Sequence, residues 1–83
     1  MEEWESAYNK VKGHKSALLF ERRSRGKRFT CRPVNIIGRR GNSVVVENAY
    51  YDIYGSVQMV ERHMVSLSAI CCGDAVFVFL DND

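Results

Sequence analysis

The sequence predicts a mainly β fold: a short N-terminal α-helix followed by a five- or six-stranded, strongly bent antiparallel barrel. Three observations predict it. Trp4, Ala7, Tyr8 and Val11 fall at i, i+3, i+4 and i+7, one apolar helical stripe. From Ser16 onward, short β-branched and aromatic segments alternate with polar turns, most of them containing Gly. One of those segments changes its alternation phase midway, as a sharply bent strand requires. The 83 residues make one domain, 1–83, with the helix at about 2–12 and the barrel at about 16–80. A chain this size buries only about 60% of its unfolded surface, so it needs good packing, self-association or a partner.

The elements follow in order. In "EEWESAYNKVKG", Glu2, Glu3 and Glu5 suit the positive end of a helix, Lys10 and Lys12 the negative end, and Gly13 the cap. So short a helix must dock its stripe on the sheet. "SALLFERR" is the first strand, and "SRGKR" a Gly-containing turn. In "RFTCRPVNII", Phe29 and Cys31 share one parity and Val34 and Ile36 the other. A bulge or bend is therefore expected at Arg32–Pro33, where Pro cannot donate to a ladder. "GRRGN" is the next turn and "SVVVENAYYDIY" the next strand, closed at Gly55. "SVQMVERHMVSLSAI" breaks its alternation around Glu61–Met64. It reads as two strands, Val57–Val60 and Val65–Ile70, joined by a tight turn. "AVFVFL", apolar on both faces, is a last strand that is either central or a subunit contact. This order points to an SH3-like or Sm-like barrel rather than an OB-fold, which usually carries a helix between its middle strands.

The net charge of +2 conceals a split. Eleven of the twelve Lys and Arg lie between residues 9 and 40 with one acid, Glu21, a charge of +10. The remainder carries Arg62 against nine acids, a charge of −8. Such asymmetry implies a directional electrostatic partner. Catalysis is not expected: there is no P-loop, GxSxG, HExxH or paired-carboxylate arrangement. Cys31, Cys71 and Cys72 form no CxxC pair and no Cys/His ligand spacing, so neither metal nor other cofactor is expected. An odd cysteine count suggests reduced thiols, with Cys71 and Cys72 packing on opposite faces of a strand. Met1 is followed by Glu2 and Glu3, unlike a basic signal peptide, and no apolar run is long enough to span a membrane. A cytoplasmic location without membrane contact is the expectation.

"QMVERHMVSLS" resembles the second Sm motif of the Hfq-like branch of the Sm-like proteins, approximately QMVYKHAIST. Gln58, Met59, Val60, His63 and Ser66 match, and Arg62 replaces lysine. "RGKRF" resembles the strand-turning NGxxL of the first motif, with Gly26 at the glycine. Glu61 stands where the family has tyrosine, and "RRGNSVV" occupies the region of its FDxF-like segment. The resemblance runs at most from Trp4 to Ile70. It implies an RNA-binding ring of subunits joined through their edge strands, with Arg62–His63 lining the pore.

The expected function is therefore non-catalytic binding of nucleic acid, single-stranded RNA rather than DNA, by a homo-oligomer. In the turn Arg22–Arg28, Arg22, Arg23, Arg25, Lys27 and Arg28 are cationic, and Arg32, Arg39 and Arg40 follow in sequence. These residues are the candidates for phosphate contact, where arginine offers a planar two-pronged donor. Arg62 and His63 are secondary, since a polar turn with a hydrogen-bonded His63 accounts for them as well. The tyrosines of "AYYDIY" can stack on bases, but with Asp52 among them a protein interface or plain packing is the leading expectation. The alternative is a small interaction module, such as a phage or mobile-element inhibitor, that docks its basic face on an acidic protein partner.

Overall fold

The computed structural model describes residues 2–22 and 28–81. The order is α1 (Glu2–Val11), β1 (Ser16–Arg22), β2 (Phe29–Arg40), β3 (Ser43–Tyr51), β4 (Val57–Ser66), α2 (Leu67–Cys72) and β5 (Ala75–Phe79). All five strands lie in one antiparallel sheet, ordered β4-β3-β2-β1-β5. The sheet is not closed into a barrel; β4 and β5 are its edges. It is nevertheless strongly curled. His63 on β4 reaches Glu21 on β1 at 3.1 Å, although two strands lie between them and a flat sheet would hold the backbones roughly 14 Å apart.

The concave face is the core. Ala17 and Leu19, Val34, Val44 and Val46, Val65 and Ala75 come from the five strands, and Leu67 from α2. The helical stripe of α1 docks on this cluster as expected, with Ala7 and Val11 buried and Trp4 and Tyr8 packed beside them.

Three local expectations are corrected. First, Val57–Ser66 is one strand, paired with β3 from Tyr51↔Val57 to Ser43↔Ser66, with its irregularity near Tyr50/Tyr51 rather than a turn at Glu61–Met64. As an edge strand with most residues exposed, β4 is under little pressure to alternate, so a broken pattern did not mean a broken strand. Of the expected five or six strands, the described residues form five. Second, Leu67–Cys72 is helix, not strand. Ser66 caps it by accepting the Ser68 N–H at 3.1 Å, and Gly73 ends it at φ 85°. Cys71 and Cys72 accordingly lie on a helix. Third, β2 keeps its register through Arg32–Pro33, and the irregularity falls between Ile36 and Gly38. Phe29 and Cys31 face outward. Arg32, Val34 and Ile36 face inward, and the extra residue at Ile37 resets the phase.

β2 also changes partner along its length. From Phe29 to Asn35 it pairs with β1, and from Asn35 to Arg40 with β3. Where the β2–β3 ladder stops, the Asn48 side-chain amide donates to the Pro33 carbonyl at 2.6 Å. A residue's N and carbonyl in a strand face the same neighbour, so Pro33 turns its missing N–H toward the side where no ladder continues.

Candidate nucleic-acid interface

In this meander the β1–β2 and β3–β4 connections lie at one end of the sheet, and the β2–β3 turn at Gly41–Asn42 lies at the other. The two basic turns of the sequence are therefore at opposite ends, separated by the twelve residues of β2. Arg28 and Arg40, on their described flanks, do not share one patch within a single chain.

At the first end stand Arg22 and Arg28; Arg23, Arg25 and Lys27 (with Gly26) lie outside the described residues. The Arg22 guanidinium sits 5.1 Å from the Phe29 ring centroid, and its Nε lies 3.6 Å from Asp74. Arg28 is exposed and forms no ion pair among the described residues. A shallow cleft of about 260 Å³ opens beside Arg22, between Glu21, Thr30 and Arg32.

Near the other end a groove of about 510 Å³ brings Arg39, Arg40, Arg62 and His63 to one lining, with exposed Ile37 and Met64 along it. The four are not equivalent. Arg39 is engaged by α1: its Nη1 lies 2.9 Å from Glu5, its guanidinium 5.0 Å from the Tyr8 ring centroid, and its Nε donates to the Gly41 carbonyl. Arg62 pairs across the strand with Glu47 at 3.0 Å but keeps 71% of its side chain exposed. Arg40 is exposed and unpaired among the described residues.

Arg62 and His63 are neighbours on a strand, so they point to opposite faces. His63 points inward and, with Arg32, closes a polar cluster around Glu21. Arg32 Nη2 donates to one carboxylate oxygen at 2.8 Å, and His63 Nε2 meets the other at 3.1 Å. Burial alone would raise the Glu21 pKa. The hydrogen bonds from His63 and Arg32, and their charges, outweigh it and hold the carboxyl below its ordinary range. Arg32 and His63 are therefore engaged by Glu21 and tie β1, β2 and β4 together.

The sequence reading gave less weight to the β3–β4 turn. There Tyr51, Ile53 and Tyr54 stand exposed, Ile53 and Tyr54 at 91% and 86%. The signal was Asp52 three residues before Gly55, a pattern for a side-chain-stabilised turn. Among the described residues no group of His, Cys, Asp and Glu is arranged to hold a metal, and no helix is long and apolar enough to cross a membrane. All three cysteines are exposed. No family model matches the chain, and no curated protein or solved structure is significantly similar to it.

Proposed function

We propose that this chain is a non-catalytic, Sm-like nucleic-acid-binding module, that its ligand is RNA rather than DNA, and that it works in the cytoplasm as a homo-oligomer. The observation that carries the reading is the concentration of eleven of twelve cations between residues 9 and 40. The exposed Arg28, Arg40 and Arg62 make the phosphate contacts within the described residues; Arg23, Arg25 and Lys27 are further candidates by sequence. The preference for RNA rests on the resemblance of Gln58–Ser66 to the second Sm motif. Self-association rests on the two open sheet edges, which carry exposed Val57, Val60 and Met64 on β4 and Val76 and Val78 on β5.

The test is binding to labelled single-stranded RNA, with duplex DNA alongside, titrated from about 50 to about 200 mM salt. Affinity should fall steeply with salt. Arg28→Gln and Arg40→Gln should each weaken binding to every sequence and reduce the log–log slope by about 0.7. Unchanged affinity and slope in both variants would sink the assignment of these arginines. Absence of binding even at the lowest salt would leave the basic residues to an acidic protein partner.

A further inference from the structure

We propose that the β3–β4 tip is a base-stacking platform, and that the ligand class of this end of the molecule is a single strand with unpaired bases. The inference rests on the proposed nucleic-acid reading and names the part of the ligand that phosphate contacts leave unspecified.

The placement comes from the way the sheet divides. β2 and β3 stop pairing at Asn35↔Glu47, yet β1–β2 pairing continues to Arg22↔Phe29 and β3–β4 pairing to Tyr51↔Val57. Beyond Asn35 and Glu47 the β2–β3 ladder ends, and the β1–β2 and β3–β4 pairs run on in the same direction, bridged by the Asn48–Pro33 hydrogen bond and the Glu21–His63 contact rather than by backbone pairing. One carries Arg22, Arg28 and a partly exposed Phe29. The other carries Tyr50, Tyr51 and Tyr54, with Tyr51 and Tyr54 at 63% and 86% exposure. Cations on one pair and aromatic faces on the other match a ligand with an anionic backbone and flat apolar groups. A single strand presents both, whereas a duplex hides its base faces.

The tip is also held in place before any ligand arrives. Asp52 Oδ1 accepts the N–H groups of Tyr54 and Ser56, both at 2.9 Å, and Oδ2 accepts from Gln58 Nε2 at 3.1 Å. The Asp52 N–H donates to the Ser56 carbonyl, and the Gly55 N–H to the Asp52 carbonyl. Gly55 takes φ 84°, which other residues adopt only at a cost. A fixed turn backbone does not have to be ordered on binding. Two acids lie near these rings: Asp52 has both oxygens occupied by donors, and Glu61 accepts from the Tyr50 hydroxyl at 3.3 Å, which moderates their repulsion of phosphate.

The experiment compares an oligouridylate with an abasic oligomer of equal length and charge, using wild-type protein, Tyr51→Ala, Tyr54→Ala and Tyr54→Phe. Each alanine variant should lose roughly five- to 150-fold in affinity for the oligouridylate, the span of one base–aromatic stack, with an unchanged salt slope. Tyr54→Phe should retain affinity, and the abasic oligomer should bind weakly and equally to all four proteins. Alanine variants that bind the oligouridylate like wild type, while Arg28→Gln still weakens it, would overturn the stacking platform and leave the electrostatic reading standing. Alanine variants that alter sedimentation but not RNA affinity would assign the tip to a second copy of the chain and equally overturn it. Failure of every oligomer to bind at about 50 mM salt would remove both readings together.

Discussion

Glu21 is one side chain on which three strands depend. Glu21→Gln keeps one acceptor oxygen and turns the other into an NH2 donor, so one of the half-buried Arg32 and His63 loses its acceptor, and an unpaired buried polar group costs about 1–3 kcal/mol. The folded-state pKa of Glu21 lies below its unfolded value. The stability it contributes is therefore present above the ordinary carboxylate pKa, about 4.3, and is lost as pH falls through the lower folded value. Glu21→Gln should lower the urea midpoint at about pH 6, and the gap between variant and wild type should narrow by about pH 3.5. A constant gap across that range would show that the carboxylate charge is not what holds the cluster. None of this was legible locally. Arg32 and His63 lie far apart in sequence, and only a curl that brings β4 over β1 shows that one acid engages both.

Among the elements, α1 and α2 show where sequence patterns succeed and fail. The α1 stripe spans two full helical repeats, so its period was readable and its buried residues are the expected ones. Six residues of "LSAICC" are too few to display a period, and the preceding strand runs into them without a Gly or Pro. The terminators were present nonetheless: Ser66 at the N-cap and Gly73, whose N–H bonds the Ala69 and Ile70 carbonyls. At φ 85° with nothing within 4 Å of an added Cβ, Gly73→Ala carries a backbone cost alone. That cost is about 1–2 kcal/mol for a residue with a Cβ in the left-handed region, or roughly 4–16 °C in Tm for a domain of this size. Thermal unfolding followed by circular dichroism reads it directly, and an unchanged Tm would contradict the left-handed cap.

At the scale of the whole molecule, the chain exposes more surface than its mass requires. A compact 9.5 kDa monomer is expected to expose about 5,000 Å², whereas this one exposes 6182 Å². Its radius of gyration, 13.3 Å, likewise exceeds the roughly 12 Å of a compact domain of this length. The excess is comparable to the about 800 Å² that each partner contributes to a standard interface. Open edges with outward valines and methionine are templates for strand pairing, and among the described residues β4 guards its edge with few charges. Wild-type protein should therefore sediment well above 9.5 kDa, and Val60→Lys or Val78→Lys should shift it toward the monomer. A monomeric wild type at every concentration would remove self-association from the proposed function.

The sequence by itself determined the mainly β class, the N-terminal helix and the face it buries, most strand positions and the split of charge between the halves of the chain. These are local or additive properties: a period of 3.6 or 2, a turn residue, a count of ions. The tertiary structure decided which charges share a surface. Sheet order sent Arg28 and Arg40 to opposite ends, α1 engaged Arg39, and the curl of the sheet turned Arg32 and His63 inward to Glu21. It also left Tyr51 and Tyr54 exposed at the same end of the sheet as Arg22 and Arg28, because the β2–β3 ladder ends at Asn35 and Glu47 while its neighbours continue. Hydrogen-bond pairing between distant segments fixes those outcomes, and pairing is a property of the assembled sheet that no single segment carries.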